Sequence, residues 1–159
     1  LMQELAKAVR TELQGYADRG IFQKFAVRDA GGGVVEFCFN WLAEAPFYLR
    51  LNTNKPELEL KDVLPSVPFR SEMDKALRKF IVSRSDEALP DHRRLDASRF
   101  DFTCRNRQGK LSIRIGFAPH DGPAAAKTAI NLLHEIFNNF LLEGPYQNYM
   151  VEVFNVPEE

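Results

Sequence analysis

Apolar and polar residues alternate along the chain with two distinct periods, and each change of period marks an element boundary. From Met2 to Asp18 the period is helical. Met2, Leu5, Val9, Leu13 and Tyr16 fall on one stripe, with Gln3, Lys7, Arg10, Thr11 and Gln14 opposite. Gly20 stops this helix. The period then drops to two. Ile21, Gln23, Phe25 and Val27 alternate with Phe22, Lys24, Ala26 and Arg28, and Asp29-Ala30-Gly31-Gly32-Gly33 predicts a hairpin loop. In the next strand Val35, Phe37, Phe39 and Trp41 oppose Val34, Glu36, Cys38 and Asn40. In a third, Phe47, Leu49 and Leu51 face inward, with Tyr48, Arg50 and Asn52 outward.

Residues 54–68 carry Leu58, Leu60 and Val63, a spacing that fits either a short edge strand or a helical turn before Pro65 and Pro68. A helix is expected from about Phe69 to Val82, with Phe69, Met73, Ala76, Leu77, Phe80 and Ile81 on one face. Residues 83–98 are polar and aperiodic, which predicts a long and mobile surface loop. A second hairpin follows. Phe100, Phe102 and Cys104 point inward, Asn106 to Gly109 form the turn, and Leu111, Ile113, Ile115 and Phe117 return. The last helix, about Pro123 to Glu143, has apolar residues from Ala126 to Leu141 over roughly half its circumference. Its other half holds Lys127, Thr128, Asn131, Glu135, Asn138 and Asn139. Gly144-Pro145 ends it, and Tyr149 to Phe154 suggest a short terminal strand.

This pattern predicts a single α+β domain over residues 1–159, built as two layers. An antiparallel sheet of about five strands would carry the helices on one face, in the order α-βββ-α-ββ-α. That order resembles the fold of type III secretion chaperones and of small bacterial regulators that share it. The resemblance implies a small chaperone-like or regulatory protein acting as a homodimer.

Charge narrows the classes. The net charge is −1 with 27% charged and 45% hydrophobic residues, so no global attraction to nucleic acid or anionic membrane follows. No apolar run is long enough to span a bilayer, and Leu1 to Arg10 lacks the apolar core of a signal peptide. The Leu before Met2 suggests a start within a longer parent chain or on an expression remnant. The two cysteines, Cys38 and Cys104, fall on differently patterned strand faces, so reduced thiols and a cytoplasmic setting are expected.

Familiar chemistry fails at named positions. His134-Glu135 lacks the second histidine of a zinc helix, since Asn138 stands four residues on. The segment Gly122 to Thr128 precedes Lys127 with Ala126 where a phosphate loop needs glycine, and has Asp121 five residues earlier. An Asp cap followed by Pro123 explains that helix start instead. His92, His120 and His134 lie in separate elements, so no metal ligand set, cofactor site or catalytic set is assigned.

The second hairpin carries the remaining signal. Arg99, Arg105, Arg107, Lys110 and Arg114 face only Asp101, and the alternation puts Phe22, Lys24, Tyr48 and Arg50 on the same open side of the sheet. Three readings follow. The first is a non-catalytic protein-binding or assembly domain, with a protein partner or a second copy of itself, supported by a wide apolar stripe on the last helix. The second is an anion or nucleic-acid binder using Arg99, Arg105, Arg107, Lys110 and Arg114 with Tyr48 and Arg50. The third is an enzyme with a site near the 83–98 loop and His92 or His120.

Overall fold

A computed structural model describes residues 2–41 and 45–154. Its elements are α1 (Met2–Asp18), β1 (Gln23–Gly31), β2 (Val34–Asn40), β3 (Pro46–Asn52), β4 (Glu57–Leu64) and α2 (Glu72–Ser83). β5 (Asp101–Arg107), β6 (Lys110–Gly116), α3 (Gly122–Glu135), a π-helical stretch (Ile136–Leu142) and α4 (Gln147–Phe154) complete it. The strands form one antiparallel six-stranded sheet in the order β1-β2-β3-β4-β6-β5. The α+β class and antiparallel sheet are as expected. The sheet has one strand more, because residues 57–64 pair on both sides, and the tail is helical.

The apolar positions of β2 to β6 share one face, and a single core joins them to the buried residues of α1, α2, α3 and α4. Phe37, Phe39 and Phe137 are almost completely buried, each stabilising by about 1.5–3 kcal/mol. α1 crosses α3 closely at Gly122, where an added Cβ would stand 2.7 Å from Leu5 Cδ1. α3 and its π-helical end are wrapped from several sides: Phe80 of α2 packs on Phe140 at 5.3 Å between centroids, and Phe154 of α4 on Phe137 at 5.1 Å. The wide apolar stripe of the last helix is therefore consumed within the chain. The support it lent to a dimer falls away.

Several expectations need correction. In β1, Lys24 adopts φ +55° and the pairing slips between Gln23 and Ala26. This bulge reverses the parity before it, so Phe22 turns into the core (3% exposed) and stacks on Phe39 at 4.0 Å. Phe22 is not on the open side, and Ile21 is exposed instead. α2 starts at Glu72 because Arg70 has φ +61° and the Ser71 hydroxyl accepts the Asp74 N–H. Phe69 precedes the helix and is 60% exposed. Asp121 makes no cap bond to α3; its carboxylate is taken by Arg99 at 2.7 Å. The expected strand at 149–154 is α4, held by burial of Tyr149, Met150 and Phe154. Burial pushes the Tyr149 phenol up to about 12, and its oxygen accepts the Ser66 N–H at 3.1 Å, tying α4 to the end of β4.

The 83–98 loop is pinned where the sequence suggests freedom. Leu95 is buried, and its N–H donates to Arg84 C=O at 2.8 Å. At the free edge of the sheet, the Arg78 guanidinium donates to the Cys104 carbonyl of β5 at 3.0 Å. No helix among the described residues is long and apolar enough to cross a membrane.

Candidate functional site

The outward face of the sheet is organised by one row of cross-strand partners. Arg28, Glu36, Arg50, Glu59, Arg114 and Thr103 stand side by side from β1 to β5. Strand pairing puts the five charged side chains on one face with alternating sign, so each glutamate stands between two arginines. Glu36 accepts from Arg28 Nη2 and Arg50 Nε, each at 2.9 Å, and Glu59 accepts from Arg114 Nε at 2.9 Å. Glu36 is buried, which pushes its carboxyl up. The hydrogen bonds and charges of the two arginines outweigh burial, and the net shift is downward. Bonding to Glu59 raises Arg114 in turn.

This row divides the sequence-derived candidates. Arg50, Arg99 and Arg114 already hold carboxylates, of Glu36, Asp121 and Glu59. An incoming anion would have to displace those partners. Arg105, Arg107 and Lys110 have no carboxylate within 4 Å among the described residues, and Tyr48 is 40% exposed. Lys61, the cross-strand partner of Tyr48, also lacks one. The ambiguous reading of residues 54–68 hid it. Two strands separate Tyr48 from Arg105, a span of about 14 Å. Between them the Ser112 hydroxyl accepts the Asp62 N–H at 2.8 Å, in a β4 bulge with Asp62 at φ +49°. Asp62 brings one negative charge among four unpaired cations, so this corner stays positive.

A second polar site lies on the helical side. Glu135 is 3% exposed at the end of α3; its Oε1 accepts from Arg93 Nε at 3.0 Å and lies 3.8 Å from Arg84 Nη1. Its other oxygen accepts from the Asn139 amide. Both arginines come from the 83–98 segment, so this carboxylate clasps the loop to the helix. Immediately beyond it the helix widens. The Glu143 N–H reaches the Asn138 carbonyl five residues back at 2.8 Å, and Gly144 closes the wide turn where a Cβ would meet Phe140 C=O at 2.3 Å. Such π-helical turns recur at functional sites. Over Glu135 opens a cleft of about 400 Å³ lined by His92, Arg93, Asn131, His134, Asn138 and Asn139. His134 stacks on Trp41 at 5.9 Å between ring centroids.

His120 stands apart from this cleft, exposed beside Asp121. Among the described residues no group of three His, Cys, Asp or Glu is placed to hold a metal. Cys38 and Cys104 are both free thiols on opposite faces of the sheet. Burial raises both, Cys104 to about 11. Comparison with protein-family models, with curated proteins and with solved structures found no match.

Proposed function

We propose that this chain is a non-catalytic binding domain that holds an acidic segment of a protein partner on the outward face of its sheet. The observation that carries the reading is the division of charge on that face. One row is paired internally and thereby fixed in place, while Lys61, Arg105, Arg107 and Lys110, around exposed Tyr48, have no carboxylate partner among the described residues. Fixed arginines and glutamates give a preorganised floor, and unpaired cations supply the attraction for carboxylates. The span of about 14 Å suits four or five residues of an extended strand. A chaperone-like role, as the element order suggests, would use this face for the acidic stretch of a client. A second copy is the weaker occupant, because the apolar stripe is spent inside the chain.

Covalent catalysis has less support. The cleft beside His92 is lined by no hydroxyl, thiol or amine nucleophile.

The test is an amide-resolved NMR titration with a glutamate-rich decapeptide at low salt. Shifts should cluster at Tyr48, Lys61, Arg105, Arg107 and Lys110, and fade steeply as salt rises. Arg105→Glu with Lys110→Glu should abolish them, whereas Arg28→Gln should not. Shifts scattered over the surface, or none at low salt, would end the proposal. Equal shifts with an oligonucleotide would transfer it to nucleic acid.

A further inference from the structure

We propose that the cleft over Glu135 is a binding site for a small oxyanion, the carboxylate or phosphate group of a metabolite. The carboxylate at its floor is already spent. Glu135 is satisfied on both oxygens from within the fold, by Arg93, by Arg84 and by Asn139, and so orients the site without repelling a ligand strongly. Two arginines against one carboxylate leave a net positive charge. What still faces the cleft is mostly donor. Arg93 uses Nε on Glu135 and keeps its Nη groups; the side chains of His92, Asn131, His134 and Asn138 make no hydrogen bond among the described residues. Uncommitted donors converging above a buried and neutralised carboxylate match an oxyanion, which offers only acceptors.

The geometry is built for holding. Arg93 is fixed by the clasp, His134 by its stacking on Trp41, and Asn138 by a wide turn that an ordinary helix would not contain. A volume of about 400 Å³ lies in the range of small-ligand pockets and suits a ligand of metabolite size. The residues come from two segments far apart in sequence, His92-Arg93 and Asn131 to Asn139, brought together by the Glu135 contacts. None belongs to the sheet face assigned to the acidic segment, so the two proposals stand or fall separately.

The experiment follows the side-chain amides of Asn131, Asn138 and Asn139 by NMR during titration with inorganic phosphate, succinate and glucose in turn. Saturable shifts are expected with phosphate or succinate, and the stronger of the two identifies the source of the oxyanion. His92→Ala and Asn138→Ala break no internal hydrogen bond and should each weaken that binding about tenfold, the loss of one charge-assisted contact. Arg93→Lys keeps the charge and should weaken it as much by removing the planar fork. Saturation by glucose with equal or greater strength would overturn the oxyanion assignment. Absence of shifts with all three probes, or anion shifts unchanged in both alanine variants, would overturn the site itself.

Discussion

Replacing Glu135 with Gln removes the charge of the clasp while keeping its size, and a flip of the Asn139 amide lets its oxygen accept from the new NH2 group. The carboxylate is 3% exposed and takes one hydrogen bond from Arg93 at 3.0 Å, with Arg84 at 3.8 Å. Arg93 stays charged, so its bond to the amide oxygen remains charge-assisted, and the exchange costs only the ion-pair attraction, about 1 kcal/mol for a pair with one partly exposed partner. The Arg93 side chain is 39% exposed and regains water, which limits the loss there. The Arg84 side chain is 17% exposed and recovers less, adding about 1 kcal/mol. The sum, about 2 kcal/mol, corresponds to a fall in Tm of about 4–8 °C for a domain of this size. Urea and thermal unfolding would measure it. Hydrogen exchange at the Leu95 amide, which donates to Arg84 C=O, should accelerate beyond the global loss as the loop comes free. The exposed pair Lys75–Glu72, 3.8 Å apart, is the control, and Glu72→Gln should change stability by less than about 0.5 kcal/mol. A Glu135→Gln cost as small as that control, with Leu95 exchange unchanged, would refute the clasp.

Three further outcomes follow from the same structure. Burial of Asp74 raises its carboxyl, but bonds from Arg78, the Arg70 N–H and Asn106 outweigh this and hold it below its ordinary value. Its contribution is therefore present above the unfolded pKa of about 3.9 and is lost as pH falls through the lower folded value. Denaturation at a series of pH values should show a shallower acid limb for Asp74→Asn, and an unchanged limb would contradict this. Alkylation at pH 8 followed by mass spectrometry should label Cys38 before Cys104, whose thiol is pushed up to about 11; the reverse order would place Cys104 outside the core. Phe22→Ala should cost about 3–5 kcal/mol by urea titration, against less than about 0.5 for Ile21→Thr, while equal costs would mean that the β1 bulge is wrongly placed.

The period of two identified β2, β3, β5 and β6 with the right faces, because an unbroken ladder transmits parity from residue to residue. It failed where a bulge breaks the ladder. Lys24 and Asp62 take positive φ without being glycine, so nothing in their type announces that parity changes at Phe22 or that 57–64 forms a central strand. Tyr149 to Phe154 read as a strand because Tyr, Val and Phe suit strands locally, and packing of Phe154 on Phe137 decided otherwise. At the site, three of the seven candidate residues lost their availability to carboxylates: Arg50 and Arg114 to glutamates on neighbouring strands, Arg99 to Asp121 in the turn before α3. The first two depend on register, which one strand's sequence cannot supply, and the third on a loop-to-turn contact set only by the tertiary fold. The cleft was further out of reach. Glu135 counts as one more polar residue on the outer side of a helix until Arg84 and Arg93 are seen folding over it from a distant segment of the chain.

The contact of Arg78 with the Cys104 carbonyl also guards an edge. In the register of the β5–β6 hairpin, the backbone groups of Phe102, Cys104 and Asn106 point away from β6, toward open space at the sheet's border. Such a border invites a foreign strand. α2 lies along that border, and Arg78, held by Asp74 at 2.7 Å, keeps its guanidinium on one of those outward carbonyls. A strand from another chain would have to displace a side chain already anchored at its far end before it could extend the sheet there.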